Sequence, residues 1–206
     1  REWLGSAGDT LAVLDPDAIA TPGRPAPSVP GCGDAPACVM FTSGTTGDPK
    51  GVVVPHRGVI RLAIGSDHPA PGPEDGLGQA APMGFDAATL ELWAPLLTGA
   101  RVCFLDDDAL KDPTTLNLRL CELDVTLLWL TASLFNYLVD ADPTCFRPLR
   151  MLMTGGEAVS PPHARKVLTA CPGLVLVNGY GPTENTTFTT THVIRATDLQ
   201  RPTLPI

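Results

Sequence analysis

The chain has 206 residues, of which 44% are hydrophobic and 17% charged, which is enough for one sizeable core and a small second lobe. Its formal net charge of -8 and its isoelectric point near 4.8 argue against nucleic acid or an anionic membrane as a partner, because phosphates would be repelled. No apolar run approaches the ~18 residues of a membrane span, and no signal sequence opens the chain, so we expect a cytoplasmic location.

In chain order, a proline-rich stretch comes first, and it marks residues 1–36 as an irregular lead-in. Over residues 37–206, apolar runs of strand length alternate with segments of helical spacing. This alternation predicts the α/β class, with a mostly parallel sheet flanked by helices. The segments are ACVMFT, HRGVIRLAI, DAATLELWAPLLTG, RVCFL, PTTLNLRLCELD, TLLWL, ASLFNYLVD, RMLMT, SPPHARKVLTAC and LVLVN.

Glycines and polar residues follow four of the predicted strands. SGTTGDPKG follows the first of them, Thr131 follows TLLWL, residues 155–157 follow RMLMT, and GYGPTE follows LVLVN. Ligands of open parallel sheets bind outside the carboxyl ends of the strands. We therefore expect all four segments to border one crevice.

The segment FTSGTTGDPKG, residues 41–51, combines glycines, hydroxyl residues and a lysine, which suits phosphate oxygens. It does not match the P-loop of nucleoside triphosphatases, because Lys50 is followed by Gly51 rather than by Ser or Thr. Taken alone, the segment is equally typical of a polar surface turn.

Three motifs in order, TSGTTGDPKG, GFDAATLELW and NGYGPTE, resemble the adenylation domains of nonribosomal peptide synthetases, within the superfamily of acyl-adenylate-forming ligases. The resemblance runs from Ala37 to Ile194 and implies part of the large N-terminal lobe. The ribose-binding aspartate and the lysine-bearing C-terminal lobe of this family have no counterpart in the 206 residues. We therefore expect the segment alone to be inactive and to act within a longer chain.

The resemblance implies ATP and Mg²⁺ as cofactors. Thr183, Glu184 and Lys50 correspond to catalytic residues, with Thr183 at the α-phosphate and Glu184 as the metal ligand. The implied nucleotide contacts are Thr42, Ser43, Gly44, Thr45, Thr46 and Gly47 with Lys50 on the β- and γ-phosphates, and Gly155, Gly156, Glu157, Asn178 and Tyr180 around the adenine. From the residues alone, YGPTE and residues 155–157 are also explained by ordinary turns before helices.

Asp86 precedes a segment in which Ala87, Leu90, Trp93, Leu96 and Leu97 have the spacing of one apolar helical face. Standing alone, Asp86 is most simply a helix N-cap. In the resembling family an aspartate here accepts hydrogen bonds from the α-ammonium group of the substrate, a strong charged contact. Asp86 therefore favours activation of an amino acid over that of an acyl or aryl acid.

The resemblance also implies a pocket for the amino-acid side chain beside Asp86. Its wall would be apolar, with Gly155 and Gly179 opening space that Trp129, Met153 and Phe188 refill. The implied residues are Ala87, Leu90, Trp129, Met153, Gly155, Gly179, Thr187 and Phe188. An unpaired charge is costly there, so we expect an aliphatic substrate, with valine as the best match. Leu90 and Trp129 are explained by ordinary core packing as well.

The implied reaction joins an amino acid to ATP, giving aminoacyl-AMP and pyrophosphate, and then transfers the acyl group to phosphopantetheine on a peptidyl carrier domain. Some relatives in this family use a small accessory protein in addition. Two alternatives stay open: an acyl- or aryl-acid ligase of the same superfamily, and a noncatalytic nucleotide-binding module. The six cysteines form no CxxC pair and lie largely in apolar stretches, which predicts reduced core residues.

Overall fold

The computed structural model describes residues 31–42, 47–65 and 68–206; most of the predicted lead-in, residues 1–30, lies outside them. The described residues form eight strands and five α-helices. In chain order these are β1 Pro36–Thr42, β2 Lys50–Pro55, α1 His56–Ile64, β3 Gly76–Gln79, α2 Ala87–Thr98, β4 Arg101–Phe104, α3 Pro113–Glu122, β5 Leu127–Thr131, α4 Ala132–Ala141, β6 Met151–Gly155, α5 Pro161–Ala170, β7 Val175–Tyr180 and β8 Thr190–Val193.

Six strands form one sheet in the order β4-β3-β5-β6-β7-β8. Every neighbouring pair is parallel except β7 and β8, which are antiparallel. The helices between the parallel strands act as the crossovers that such pairing needs. The predicted α/β class and mostly parallel sheet are confirmed.

The predicted first strand is not part of this sheet. β1 pairs with β2 in a separate antiparallel hairpin, in which Thr42 lies opposite Lys50. The connection between the two strands is too short for the dozen or more residues of a parallel crossover, so β2 folds directly back on β1. The expectation that the glycine-rich segment follows a strand of the main sheet is therefore wrong.

Helices cover both faces of the main sheet, and the buried strands are apolar on both sides, as parallel sheets require. On one face Leu128, Leu130 and Leu152 join the core residues of α3, α4 and α5, which are Leu116, Leu120, Phe135, Leu138, Val139, Ala164 and Val167. On the other face Leu127, Met151, Met153 and Val177 join the core residues of α1 and α2, which are Leu62, Ala63, Leu90 and Ala94. Alternate residues of each strand thus enter different cores.

Helix α2 buries only the first part, Ala87 and Leu90, of the apolar face that its sequence predicts. Its buried residues are Ala87, Ala88, Thr89, Leu90, Glu91, Ala94 and Pro95. Trp93 is 43% exposed and Leu96 is 62% exposed, and Leu97 is exposed as well. The helix contacts the sheet through its small residues, because these allow the backbone to lie close to β3.

The prediction that the cysteines are core residues holds for only half of them. Cys103, Cys145 and Cys171 are buried free thiols, whereas Cys32 and Cys121 are exposed and Cys38 is half-buried. No helix among the described residues is long and apolar enough to cross a membrane.

Asp75, Thr126 and Arg150 join the amino-terminal ends of β3, β5 and β6. The Asp75 carboxylate, 12% exposed, accepts hydrogen bonds from Arg150 Nε at 2.7 Å, from Thr126 Oγ1 at 2.7 Å and from the amide of Gly72 at 2.8 Å. The hydrogen bond from Arg150 is the main reason that the pKa of Asp75 lies well below its usual range. The ion pair therefore favours the folded state wherever Asp75 is ionised in the unfolded chain.

We expect Asp75→Asn to lower the free energy of unfolding at pH 7 by about 1.5–3 kcal/mol, because a charged hydrogen-bonded pair is lost. A lowered folded-state pKa contributes stability that is present above pH ~4 and is lost as the pH falls below it, so the deficit should shrink at pH 3. Urea unfolding at both pH values measures the difference, with the exposed Asp108→Asn as control. An equal deficit at both pH values would contradict the assignment to ionisation.

Candidate active site

Strands β5, β6 and β7 bring three of the predicted segments to one edge of the sheet. Thr131, the last residue of β5, pairs with Gly155 of β6, and Gly155 pairs with Gly179 of β7. These strands are parallel, so their carboxyl ends open on the same side. The expectation that these three strand ends lie side by side is confirmed. That they border one ligand crevice stays a prediction.

The β1–β2 hairpin, which is not part of the main sheet, lies beside the turn that follows β7. A cavity of about 510 Å³ separates the end of β1 from the loop before α2 and from the turn after β7. Thr42, Asp86 and Thr183, which come from the three predicted motifs, all line it. The full lining is Met40, Phe41, Thr42, Pro82, Gly84, Phe85, Asp86 and Thr183.

Asp86 connects the second motif to the third. Its carboxylate Oδ2 accepts a hydrogen bond from Thr183 Oγ1 at 2.8 Å, and its main-chain oxygen accepts one from Thr187 Oγ1 at 2.8 Å. Asp86 stands at the start of α2 but makes no capping hydrogen bond to an amide there, so the simple N-cap interpretation is wrong for the described structure. Its carboxylate is half-buried and faces other groups of the crevice.

A second cavity, of about 340 Å³, shares Pro82, Phe85 and Asp86 with the first. Trp129 contributes to its wall, and the indole N–H of Trp129 is buried without a hydrogen-bond partner in the part of the chain that the structure describes. The lining is Ala80, Ala81, Pro82, Phe85, Asp86, Ala87, Asp107, Leu110, Trp129, Leu130, Thr131 and Leu134.

Most of the predicted side-chain pocket forms one apolar cluster. Leu90, Met153 and Phe188 are buried together with Trp129 packed against them, and Trp129 also packs against Ala87. Thr187 is buried beside them with a φ of 65°, and its hydroxyl is the group that binds the main chain of Asp86.

The two glycines of this cluster do not open space for a substrate in the way that their small size suggests. A Cβ atom on Gly179 would lie 2.6 Å from the ring of Phe188, and one on Gly155 would lie 2.0 Å from the main-chain oxygen of Gly179. Gly179 therefore makes room for Phe188, and Gly155 allows the two strands to approach. The structure corrects the expectation that these positions enlarge the pocket.

The predicted phosphate segment is described only at its ends. Thr42 and Lys50 face each other at the base of the hairpin loop, with Thr42 Oγ1 and the Lys50 main-chain oxygen 3.5 Å apart. Lys50 and Gly47 are exposed, and Gly47 has a φ of 97°, which favours glycine. Ser43, Gly44, Thr45 and Thr46 lie outside the described residues.

The predicted adenine contacts differ in accessibility. Asn178 is buried and its side-chain amide donates to the Pro205 main-chain oxygen at 2.7 Å, whereas the ring of Tyr180 is 53% exposed at the end of β7. Gly156 adopts a φ of 81° in an exposed turn, and Glu157 accepts a hydrogen bond from Ser133 at 2.8 Å. The ring is therefore available to a ligand, while the Asn178 amide nitrogen already has a partner.

Glu184, the predicted metal ligand, lies in the 3₁₀ turn Thr183–Asn185 with its side chain exposed. The described residues contain no group of three side chains suited to hold a metal ion alone. One carboxylate is nevertheless compatible with Mg²⁺, which proteins commonly bind through one or two carboxylates together with substrate phosphates.

One buried acid of the site was not predicted. Glu91 in α2 is fully buried, and its carboxylate accepts hydrogen bonds from the amides of Ala80 and Ala81 in the loop that lines both cavities. Burial raises the pKa of Glu91 to about 7, and the hydrogen bonds from Ala81, Ala80 and Gln79 only partly oppose this rise. The sequence did contain one signal for the burial of Glu91: it lies four residues after Ala87 and three before Ala94, on the helix face that these buried alanines share.

Comparison with known proteins identifies this arrangement. The family described as AMP-binding enzyme matches residues 4–205, nearly the whole chain. The chain belongs to the AMP-binding enzyme family. This confirms the resemblance to adenylate-forming ligases that the three motifs indicated, and it agrees with the cavity that residues of all three motifs line.

Two curated relatives of this AMP-binding chain are bacterial peptide synthases. Tyrocidine synthase 3 of Brevibacillus parabrevis is 46% identical over 77% of the chain, and gramicidin S synthase 2 of Brevibacillus brevis is 44% identical over 77% of it. The chain spans only 2% of the length of the first synthase and 4% of the length of the second.

Solved structures show the same fold. PA1221, an NRPS protein containing adenylation and PCP domains, has a TM-score of 0.80 and 46% identity over 91% of this chain and 33% of its own. The N-terminal subdomain of Klebsiella oxytoca NpsA, in complex with 3-hydroxyanthranilyl-AMSN, has a TM-score of 0.72 and 28% identity over 84% of this chain and 44% of its own.

Proposed function

We propose that the chain is the ATP- and amino-acid-binding part of an adenylation domain, which converts an amino acid and ATP to aminoacyl-AMP and pyrophosphate. The observation that carries this proposal is the hydrogen bond between Asp86 and Thr183 at the junction of two cavities. One residue has the charge to bind an α-ammonium group, and the other is the threonine assigned to the α-phosphate. A substrate carboxylate bound beside both groups would lie near the phosphorus that it attacks.

Little covalent chemistry is required of the protein in such a reaction. Asp86 orients the amino acid, and the Thr183 hydroxyl, on turning from Asp86, donates a hydrogen bond to the α-phosphate. Lys50 with the hydroxyl segment of residues 42–47 stabilises charge that moves to pyrophosphate. Mg²⁺, held by Glu184 and the phosphates, supplies further charge neutralisation when bound. Tyr180 offers an exposed ring on which the adenine stacks.

Partners of the whole protein belong to the same proposal. The AMP-binding relative PA1221 combines its adenylation domain with a PCP domain, which supports a peptidyl carrier bearing phosphopantetheine as the acceptor here. A small accessory protein and a cytoplasmic location complete the proposal.

An aryl-acid ligase is the second candidate, because the NpsA subdomain was solved with aryl ligands such as 3-hydroxybenzoyl-AMSN. Two observations favour the amino acid. Identity to the peptide synthase tyrocidine synthase 3 is 46%, compared with 27% to that NpsA complex. In addition, Asp86 places a carboxylate between the cavities, where an aryl acid without an ammonium group would leave it unpaired. The third candidate, a noncatalytic nucleotide-binding module, differs from both ligases because it would catalyse no pyrophosphate exchange.

Leu90, Met153 and Phe188 are buried core residues that line neither of the two cavities at Asp86. Valine is the substrate we propose, since the side chains that the resemblance assigns to the pocket are uncharged and mostly apolar. Because Phe188 fills the place beside Gly179, the space for a side chain is small, which favours a short aliphatic group over an aromatic one. One methylene in such a pocket changes discrimination by only ~1–3 kcal/mol, so we expect isoleucine and leucine to be weaker substrates rather than inert.

The test is amino-acid-dependent exchange of pyrophosphate into ATP across the proteinogenic amino acids, with valine expected to be the best. It requires a complete adenylation domain carrying these residues, because the chain covers 33% of PA1221. A preference for phenylalanine or a charged residue would overturn the pocket, and exchange driven only by aryl or fatty acids would favour the second candidate. Absence of exchange with every acid tested would favour the noncatalytic nucleotide-binding module.

A further inference from the structure

Both cavities share one wall, the loop of residues 80–85, which we name the cavity loop. Ala80, Ala81, Pro82 and Phe85 line the smaller cavity, and Pro82, Gly84 and Phe85 line the larger one. Asp86 follows the loop directly, so the position of its carboxylate depends on the conformation of the loop. Pro82 and Phe85 are exposed, and they cannot anchor the loop by burial.

The hydrogen bonds from the first two residues of the cavity loop and from Gln79 before it converge on Glu91, beside the burial of Ala81. Its Oε2 accepts hydrogen bonds from the Ala81 amide at 3.0 Å, from the Ala80 amide at 3.2 Å and from Gln79 Nε2 at 3.2 Å. Gln79 also donates to the Ala81 main-chain oxygen at 2.5 Å, which closes the network. Glu91 itself has 0% exposure, one turn inside the helix that begins after Asp86.

We propose that Glu91 is a positioning residue, whose buried carboxylate fixes the cavity loop and thereby sets the place of Asp86 and the wall of the amino-acid pocket. The expected effect on kinetics rests on the proposed function, whereas the anchoring of the loop does not depend on it. A buried carboxylate without an ion-pair partner is costly, and an apolar residue would satisfy the packing of α2 equally well. The three hydrogen-bond donors that converge on Glu91 explain why an acid is present at this buried position.

Substitutions at Glu91 separate anchoring from packing. Glu91→Gln keeps the size of the side chain, but it removes the charge and replaces one oxygen by an amide nitrogen. That nitrogen cannot accept the second contact of the Ala81 amide, which lies 3.3 Å from Oε1. Glu91→Ala removes the acceptor altogether and leaves two main-chain amides unpaired. Glu74→Gln is the matched control, because Glu74 is an exposed acid that precedes β3 and lies outside the cavity loop.

Amide hydrogen exchange of the complete adenylation domain tests the anchoring. We expect Glu91→Gln and Glu91→Ala to accelerate exchange in residues 79–86 by about tenfold or more, while the strands β5, β6 and β7 stay protected. Unchanged exchange of residues 79–86 in both variants would overturn the proposal, whatever reaction the domain catalyses.

Kinetics of the same variants test the consequence for the site. We expect Glu91→Gln to raise the KM for the amino acid by about tenfold or more while changing the KM for ATP less than threefold, because a small displacement of Asp86 affects the amino acid first. Glu74→Gln should match the wild type. Equal increases in both KM values, together with a lowered Tm, would indicate general destabilisation and overturn positioning. Wild-type protein that lacks amino-acid-dependent exchange would refute the proposed function, while hydrogen exchange still decides the anchoring.

Discussion

Asp86→Asn should lower kcat/KM for the amino acid by about a hundredfold or more in a complete adenylation domain. The substitution leaves an oxygen that can still accept from Thr183 Oγ1, now 2.8 Å from the carboxylate, but it removes the negative charge. Losing one partner of a desolvated charge pair costs ~2–5 kcal/mol, and a hundredfold corresponds to ~2.7 kcal/mol. The KM for ATP should change little, because the Thr183 contact survives. Pyrophosphate exchange at varied amino-acid and ATP concentrations measures both constants.

A substrate analogue sharpens this prediction. The 2-hydroxy acid that corresponds to the preferred amino acid has no ammonium group, so the wild type should discriminate strongly against it and the Asp86→Asn variant should discriminate much less. Asp108→Asn is the control, since Asp108 is an exposed acid that pairs with Lys111 after β4. Undiminished preference for the amino acid in Asp86→Asn would show that another group binds the ammonium.

The large sheet was predictable because its strands have a strong local signal. β5, β6 and β7 are buried on both faces, and their sequences are therefore short continuous apolar runs followed by glycines or hydroxyl residues. The crevice at their carboxyl ends followed from the general rule for ligand sites in open parallel sheets. β3 was missed, because its sequence GLGQ has two glycines and is stabilised by its neighbours rather than by its own propensity.

The partners of the predicted site residues were less predictable than the residues themselves. The motifs named Asp86 and Thr183 separately, but their hydrogen bond joins positions 97 residues apart in the chain. In the same way, the ring of Phe188 fills the place beside Gly179 only because the chain turns back at Thr186 and Thr187, both of which have positive φ. Such contacts depend on tertiary packing, which a pattern of residue types does not encode.

The burial of Glu91 could not be predicted from its position alone, because an acid at this position is compatible with either an exposed or a buried side chain. An acid inside GFDAATLELW is typical of the solvent-facing side of an amphipathic helix, and the large apolar residues Trp93 and Leu96 suggested the opposite face as core. The structure buries the small residues and Glu91 instead, because the donors of the cavity loop require an acceptor there. The groups that need this acceptor are main-chain amides, and a residue type in the sequence does not reveal which amides will need one.

Glu184→Gln should lower the rate of pyrophosphate exchange by well over tenfold in the complete adenylation domain, while the fold is retained. Glu184 is exposed in the turn after β7, directly after Thr183, so its removal disturbs no buried contact. Exchanging a charged oxygen ligand for a neutral amide weakens the hold on Mg²⁺, and a loss of more than ~1.4 kcal/mol of transition-state stabilisation corresponds to the tenfold decrease.

The magnesium dependence of that variant distinguishes a metal ligand from a residue that merely shapes the turn. If Glu184 binds Mg²⁺ together with the phosphates, the Glu184→Gln defect should be largest at limiting Mg²⁺ and should shrink as its concentration rises, because mass action partly replaces the lost affinity. Glu122→Gln, an exposed acid at the end of α3, should show the wild-type Mg²⁺ dependence. Wild-type kinetics of Glu184→Gln at limiting Mg²⁺ would remove Glu184 from the metal site, and a defect independent of Mg²⁺ would assign it to orienting Thr183 instead.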